Sequence, residues 1–303
     1  MVKTSIVLLT KDDLTNIEPG LNVIYRQKNV EPFEVIVIDS GSSDGTLDVL
    51  RNFPVRLYEI PPDSFHHGRT RNLGASIATG EILVFLSQDA LPVSDSWLDA
   101  MLSNFHDPSV GAVYGRQLPR PHSTLERRDA LDAVYGGKKL IKDPAHRNGM
   151  GYRFYHFSDV NSAIRRSVWD AVRFPEDLKV FEDIGIAKRI LDRGWKIVYE
   201  PGAAVVHSHS YTALGLFKRY FDIGYTLKLL QIWDEPGIKK TMVRDLWRLL
   251  KGKVRLARNN GDSRSACEGF GQDIAKSAGL LLGLNQELLP LALKRRLSAC
   301  VFK

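Results

Sequence analysis

Three polar side chains follow predicted strands at the points where those strands end. Thr10 comes after the apolar run Ser5–Leu9, Asp39 closes the run VIVID, and Asp89 comes shortly after ILVFL. Short and nearly uninterrupted runs of Val, Ile and Leu are typical of parallel strands that are covered on both faces. Because ligands of open α/β sheets bind beyond the carboxyl ends of the strands, we expect these three side chains to line one site.

The segment FLSQDALP contains a single carboxylate, Asp89, with Ser87 two residues before it. A Mg²⁺ ion prefers oxygen ligands, usually keeps several waters, and needs only one or two carboxylates when a diphosphate supplies other oxygens. One aspartate is therefore enough for a metal site at which the ligand supplies further oxygens. The structural alternative is an aspartate that merely ends a strand.

Asp39 and the small residues after it, SGSSDGT, predict a tight turn that leads into a helix. Two interpretations of Asp39 stay open from its residue type and position. The carboxylate either forms the turn, or it accepts the imide N–H of a uracil or thymine ring.

The pair Glu182 and Asp183 begins a predicted helix, Glu182–Arg193, that Gly194 ends. Acidic residues are favourable in a first helical turn because they interact with the helix dipole. A carboxylate in this place can instead act as a general base, although an ordinary Asp, with a pKa of about 3.9, is an intrinsically weak one.

Strands and helices alternate along the first part of the chain, which predicts an α/β fold with a doubly wound, mostly parallel sheet. The predicted strands are Ser5–Leu9, Glu34–Ile38, Val55–Tyr58 and Ile82–Leu86, and the predicted helices are Leu14–Gln27, Gly45–Asn52 and Gly68–Ala78. Later strands are predicted at Val110–Tyr114, Trp195–Tyr199 and Ala203–His207, the last two on either side of a Pro-Gly turn. Residues 120–153 form a predicted long polar loop.

The charge balance of the 303 residues changes near residue 211. Residues 212–303 contain 17 Lys and Arg against 8 Asp and Glu, whereas residues 1–211 contain 25 against 27. We therefore predict one domain over 1–211 and a basic helical extension over 212–303. Without a recognition motif beside this charge, nucleic acid is not an expected partner.

Leucines near the end of the extension recur at helical spacing and predict one apolar face, and Pro290 is expected to kink or end a helix there. They are Leu280, Leu284, Leu288 and Leu291, and the cations Lys294, Arg295 and Arg296 follow them. Apolar residues beside a cationic cluster favour attachment to an anionic membrane surface. The alternative is that these leucines pack on the domain formed by residues 1–211 or on a second copy of the chain, and the latter would make a homo-oligomer.

Two cysteines, Cys267 and Cys300, indicate neither a disulfide framework nor a zinc site. No apolar run approaches the ~20 residues that span a bilayer, and the first residues, MVKTSIVLLT, fit a core strand better than a signal peptide. We expect a cytoplasmic protein, with peripheral attachment to the inner face of the cytoplasmic membrane as the open alternative.

Several of these segments, in this order, resemble the family 2 glycosyltransferases of the GT-A fold over about residues 4–211. They are IVLLT, VIDSGSSDGT, GRTRNLGA, ATGEILVFLSQD and VFEDIGIAKRILDRGW. HGRTRN with SQDA, and LLPLALKRRLS in the tail, resemble the bacterial rhamnosyltransferase-type branch. The resemblance implies a GT-A sheet with a nucleotide-sugar half over about 1–95, an acceptor half over about 96–211 and a C-terminal helical extension.

Carried over position by position, the resemblance implies nucleotide contacts for Thr10, Asp39, Arg71 and Gln88. Asp89 stands at the last position of the metal-binding DxD motif, and Ser87 replaces its first aspartate.

The same resemblance implies that Asp183 is the catalytic base and that His207 is a further metal ligand, with His209 as its alternative. If a histidine takes part, Mn²⁺ becomes more favourable relative to Mg²⁺. The candidate sugar or acceptor contacts are His67, Asn161, Ser162 and Glu182.

The implied reaction is an inverting, Mg²⁺- or Mn²⁺-dependent transfer of one sugar to a saccharide acceptor, free or lipid-linked, in cell-surface polysaccharide biosynthesis. The expected donor is dTDP-L-rhamnose, and a UDP-hexose is the alternative. The QxxRW motif of processive synthases is absent, which favours single additions.

Other classes of protein fit less well. A nucleotidyltransferase typically has a glycine- and arginine-rich loop where TKDDLTN stands, and a dehydrogenase has GxGxxG there. A non-catalytic sugar-binding protein does not need Asp39, Arg71, Asp89 and Asp183 together.

Overall fold

The predicted strands form one sheet in this computed structural model, which describes residues 4–121, 123, 128, 131–132, 134–147, 149–209, 211–241 and 263–302. The chain divides into two compact units. The first comprises Met1–His146, Phe157–Asp177 and Glu182–Ser208, and the second comprises Arg147–His156, Leu178–Phe181 and His209–Lys303. Residues 242–262 of the predicted basic extension lie outside the described residues.

Within the residues that the structure describes, the first unit contains a nine-stranded sheet. Its strands are β1 (Thr4–Thr10), β2 (Phe33–Asp39), β3 (Arg56–Glu59), β4 (Ile82–Ser87), β5 (Leu91–Pro92), β6 (Val110–Leu118), β7 (Leu140–Lys142), β8 (Asn161–Arg165) and β9 (Lys196–Val206). The order is β3-β2-β1-β4-β8-β6-β9-β5, with β7 also paired to β9.

The pairing is parallel through the four N-terminal strands and between β6 and β9. Strand β8 is antiparallel to both of its neighbours, β4 and β6. This confirms the predicted α/β fold with a mostly parallel sheet, and it adds an inserted strand that reverses the direction at the centre.

The predicted break in the last long strand is wrong. We expected two strands on either side of Pro201 and Gly202, but β9 runs through both residues. The partner strand accommodates them, because the β6–β9 register shifts between Gly115 and Gln117. Strand β9 therefore carries its C-terminal residues to the same edge of the sheet as the end of β6.

Six helices of the described residues follow the strands of the first unit and pack against its sheet. They are α1 (Leu14–Ile24), α2 (Thr46–Leu50), α3 (His67–Ile77), α4 (Trp97–Leu102), α5 (Arg166–Val172) and α6 (Glu182–Asp192), with short 3₁₀ turns at Pro62–Ser64, Ser103–His106 and Pro144–His146. The core between the layers is mostly aliphatic, with fully buried residues such as Ile6, Val37 and Val84, and it also contains Trp97. Burial of this kind stabilises the layers by roughly 25 cal/mol per Å² of apolar surface.

The second unit is helical where it is described. It contains α7 (Ala213–Leu229), α8 (Ser263–Leu284) and α9 (Leu291–Leu297), and 3₁₀ turns at Gly151–Phe154 and Gln286–Leu288. Glycines spaced four apart on α8 allow a close approach to α7. A Cβ added at Gly279 would lie 2.2 Å from the carbonyl oxygen of Phe217, and one at Gly283 would lie 1.9 Å from that of Phe221.

We expect Gly283→Ala to lower the free energy of unfolding by about 1–3 kcal/mol, since the new methyl group meets backbone that cannot rotate away. The matched control is Gly271→Ala on the same helix, where an added Cβ meets nothing within 4 Å. That variant should gain up to about 1 kcal/mol from helix propensity. Denaturant unfolding measures both, and equal effects of the two substitutions would contradict the close contact.

The structure confirms the expected helix break at Pro290, but it corrects the leucine face of the extension. Leu284 is buried, α8 ends there, and Pro290 stands directly before α9, so the four leucines do not share one continuous helix. The exposed apolar residues in this region are Leu281, Leu282, Leu288, Leu291 and Leu293. None of the described helices is both long and apolar enough to cross a bilayer.

Candidate active site

Thr10 and Asp39 lie side by side because β1 and β2 pair in parallel with these two residues in register. Asp39 is fully buried and accepts hydrogen bonds from Thr10 Oγ1 at 2.9 Å and from the backbone N–H groups of Gly41 and Ser42 at 2.9 and 2.8 Å. Gly41 has a φ of +86°, which glycine adopts without strain. The observed role of Asp39 is to hold the turn, and a contact with a base stays a prediction.

Gln88 ties the end of β4 to the segment that follows β1. Its Oε1 accepts from the Lys11 backbone N–H at 2.7 Å, and its Nε2 donates to the Lys11 carbonyl at 3.1 Å. The Gln88 amide thus connects the segments that follow β1 and β4 at the edge of the sheet, next to Asp89.

Asp89 follows β4 and is approached by two side chains from neighbouring strands. Its Oδ1 lies 3.5 Å from Nε2 of His207, directly after β9. Its Oδ2 lies 3.3 Å from Nη2 of Arg120, two residues after β6. The predicted metal ligands Asp89 and His207 are therefore brought together by the structure.

The His207 ring is oriented by Gln117 on β6. Nδ1 of the buried imidazole lies 2.9 Å from Oε1 of Gln117, and this geometry places the ring proton on Nδ1. In the neutral form of the ring the lone pair is then on Nε2, the atom that lies 3.5 Å from Asp89 Oδ1. A partner that fixes the tautomer in this way is typical of metal-binding histidines, so the donor set fits a divalent cation.

A buried ion-pair network surrounds the start of α6. Nη1 of Arg71, on α3, lies 2.9 Å from Oε1 of Glu182, and Nε lies 3.0 Å from Oδ2 of Asp159. Nδ1 of His67 is 4.0 Å from the same Glu182 oxygen. Arg71, predicted to contact the nucleotide, is thus largely buried among carboxylates next to the candidate base Asp183.

The carboxylates of this network perturb one another. Burial raises the pKa of Asp159 to about 6, against the opposing effect of the Arg71 charge and with a further increase from Glu182. Burial also raises the pKa of Asp183 well above its usual range, and the nearby charges of Asp159 and Glu182 add to this shift. Asp183 is therefore a stronger base than an ordinary aspartate.

Asn161 and Ser162, predicted as sugar or acceptor contacts, are fully buried on β8. The Asn161 side chain accepts from Trp97 Nε1 at 2.9 Å and donates to the Ala203 carbonyl at 2.8 Å. In this structure the asparagine connects α4, β8 and β9, and its contact with a sugar stays a prediction.

Three residues of the site were missed from the sequence: Gln117, Arg120 and Asp159. Gln117 and Arg120 belong to or follow β6, and Asp159 lies just before β8, in segments whose sheet positions the sequence did not reveal. The sequence offered one signal for these residues: each is a polar residue close to the end of a strand.

A profile of the family described as Glycosyl transferase family 2 matches residues 5–173. The chain belongs to this family. The matched region runs from the second residue of β1 through β8, and it contains Asp39, Asp89, Arg120 and Asp159.

Two curated relatives of this chain are O-antigen chain rhamnosyltransferases. WbaN of Salmonella anatum is 37% identical over 202 residues, which are 66% of this chain and 64% of WbaN. RfbN of Salmonella typhimurium is 34% identical over 209 residues, which are 68% of this chain and 67% of RfbN. The match therefore spans slightly less than two thirds of WbaN.

Solved structures of glycosyltransferases share the fold. Mannosyltransferase PcManGT from Pyrobaculum calidifontis, in complex with GDP-Man and Mn²⁺, superposes with a TM-score of 0.60 at 19% identity over 92% of this chain and 86% of that chain. S. aureus TarS in complex with UDP gives 0.55 at 18% identity over 73% and 64%. The fold is therefore of the GT-A type.

Proposed function

We propose that this protein is an inverting, metal-dependent glycosyltransferase that transfers a single sugar, L-rhamnose from dTDP-L-rhamnose, to a saccharide acceptor of a cell-surface polysaccharide. The observation that supports the reaction type is the close approach of Asp89 to His207, whose ring is oriented by Gln117. The same chain contains Asp183, whose raised pKa makes it a stronger base than an ordinary aspartate. The choice of rhamnose is supported by the two relatives named for that sugar.

In the proposed mechanism, Asp183 takes the proton of the acceptor hydroxyl as its oxygen bonds to the anomeric carbon. The bond from this carbon to the diphosphate breaks, and the electron pair leaves with the diphosphate. Attack on the face opposite the leaving group inverts the anomeric centre. The raised pKa of Asp183 makes its carboxylate a stronger proton acceptor than an ordinary aspartate, which favours this proton transfer.

The metal is proposed to be Mn²⁺ or Mg²⁺, held by Asp89 and His207, and His209 is a further candidate ligand from its place in the sequence. When bound, such a cation neutralises negative charge that develops on the diphosphate. Thr10 and Asp39 are proposed to lie beside the nucleotide at the edge of the sheet, with Gln88 supporting them.

The experiment that tests the proposal is release of nucleoside diphosphate from dTDP-rhamnose, UDP-glucose and GDP-mannose, with Mn²⁺, with Mg²⁺ and with a chelator. We expect metal-dependent turnover to be fastest with dTDP-rhamnose, and NMR of the product to show an inverted anomeric centre. Faster turnover of a UDP-hexose would overturn the choice of sugar. Turnover unchanged by the chelator would overturn metal dependence.

We further propose that the second unit attaches to an anionic membrane surface and so meets a lipid-linked acceptor. Leu288 and Leu291 are 78% and 55% exposed, and the cations Arg295 and Arg296 on α9 are exposed as well. The C-terminal residues after α9 are anchored, since Asp222 accepts from the Ala299 and Cys300 backbone N–H groups at 2.9 Å. Apolar and basic side chains of this kind suit the headgroup region.

The membrane proposal predicts co-sedimentation with vesicles that contain anionic lipid, weakened by salt. The double variant Leu288→Ser/Leu291→Ser loses apolar side chains that would enter the headgroup region. The double variant Arg295→Glu/Arg296→Glu loses two basic residues, which contribute about 1 kcal/mol apiece at such surfaces. Each variant should therefore remain in the supernatant. Val93→Ser removes an exposed apolar residue of the first unit and should sediment like the unaltered protein. Binding that survives both double variants would assign the attachment to another surface.

A further inference from the structure

Arg120 reaches the candidate metal site from the end of β6. Its backbone N–H donates to Ser208 Oγ at 3.1 Å, and Ser208 follows His207 directly. Because β6 and β9 pair in parallel, their C-terminal ends meet at one edge of the sheet. Arg120 and His207 consequently approach Asp89 from two adjacent strands.

The two oxygens of the Asp89 carboxylate have different neighbours. Oδ1 faces Nε2 of His207, and Oδ2 faces Nη2 of Arg120. Nη2 also donates to the Asp89 backbone carbonyl at 3.0 Å. The carboxylate can therefore offer Oδ1 to a cation while Oδ2 keeps the guanidinium in place.

The guanidinium retains unused donors in this position. All of its hydrogen bonds to the described residues come from Nη2, and its buried Nε has no acceptor among them. The side chain is 38% exposed, so solvent and a ligand can reach it. A guanidinium is always charged and binds phosphate oxygens through a planar set of N–H donors.

We propose that Arg120 binds the diphosphate of the sugar nucleotide and of the product, an inference that rests on the proposed function. A divalent cation and Asp89 together carry one net positive charge, whereas the diphosphate of a sugar nucleotide carries two negative charges. Arg120 supplies the missing positive charge beside Oδ2 of Asp89. It also adds a preorganised donor where negative charge grows as the leaving group departs.

The test compares nucleoside diphosphate with nucleoside monophosphate, because only the former has the second phosphate. Titration calorimetry with dTDP, dTMP, UDP and UMP in the presence of Mn²⁺ is carried out on the unaltered protein, Arg120→Ala and Arg120→Lys. The control is Arg193→Ala, which removes an exposed arginine just beyond α6. Thermal melting checks that each variant is folded.

We expect Arg120→Ala to raise the Kd for nucleoside diphosphate by about tenfold or more while the Kd for monophosphate stays the same, since hydrogen bonds to charged groups are among the stronger ones. Arg120→Lys should fall in between, because it keeps the charge and loses the planar donors. Arg193→Ala should bind both ligands normally.

Equal losses for the mono- and diphosphate would overturn the inference. So would tighter binding of Mn²⁺ alone with unchanged nucleotide affinity, which would mean that Arg120 only neutralises Asp89. If the unaltered protein bound no nucleotide at all, the proposed function would fail first and this inference with it. Normal binding by the unaltered protein and by Arg120→Ala would refute the inference alone.

Discussion

Asp183→Asn should lower the turnover number by about 10²–10⁴-fold while the affinity for the donor stays nearly unchanged. The amide has the same shape as the carboxylate but cannot take the acceptor proton. Asp183 also accepts from the Ile184 backbone N–H at 2.8 Å, and an amide oxygen can accept that bond too. Single-turnover transfer and donor titration, measured on the same preparation, separate chemistry from binding.

The matched control for this prediction is Asp192→Asn at the other end of α6. Asp192 is exposed and pairs with Lys188, so its loss should leave turnover unchanged. A variant at position 183 that kept more than about a tenth of the turnover would move the base to another residue.

The pH profile of turnover gives an independent check on Asp183. A base acts in its deprotonated form, so turnover should fall as the pH falls through the folded-state pKa, which is raised here by burial and by Asp159 and Glu182. Asp159→Asn removes one of these negative neighbours and should move the acidic limb to lower pH. Because Asp159 itself has a pKa of about 6, the limb reports the two groups together. An acidic limb that does not move in Asp159→Asn would contradict this coupling.

Asp89→Ala should abolish the part of nucleotide diphosphate affinity that depends on Mn²⁺. Partners that only orient a metal ligand already contribute about 10–100-fold to metal affinity, and a direct ligand should contribute at least as much. Calorimetry with nucleoside diphosphate, with and without Mn²⁺, measures the difference. His207 alone leaves the site without a carboxylate charge, and Gln88 is engaged with the Lys11 backbone.

Asp95→Ala is the control for Asp89, because this exposed aspartate pairs with Lys28 at the surface. Its removal should leave metal-dependent binding intact. Retention of the full Mn²⁺ effect in Asp89→Ala would make Asp89 a structural residue and would assign the metal, if one binds, to other ligands.

The early strands could be predicted closely because burial on both faces selects apolar runs, and β1 to β4 start and end within a residue or two of the predicted bounds. The places of Asp39, the last residue of β2, and of Asp89, two residues after β4, followed from the same reasoning. The prediction of two strands in place of β9 was wrong because Pro and Gly usually interrupt strands. The continuity of β9 is explained by its pairing with β6, whose register shifts between Gly115 and Gln117.

The remaining site residues depend on contacts between distant parts of the chain. The Gln117–His207 hydrogen bond joins residues 90 apart, and Arg71 and Glu182 are 111 apart. No local periodicity encodes such pairs, because they arise from the order of strands in the sheet. In the extension, Pro290 predicted the helix break before α9, but the leucine spacing did not reveal that Leu284 is buried.

The reversed strand at the centre of the sheet has a consequence for how the chain is made. Strand β8 fills the place between β4 and β6, yet its first residue, Asn161, emerges from a ribosome 74 positions after Ser87, the last residue of β4. At synthesis rates of about 5–20 residues per second, the edge of β4 stays without its final partner for roughly 4 to 15 s. During that interval the nascent N-terminal half exposes a hydrophobic strand edge of the kind that pairs with other chains. Slowed translation between β4 and β8 should therefore increase the demand for chaperones without any change in the finished protein.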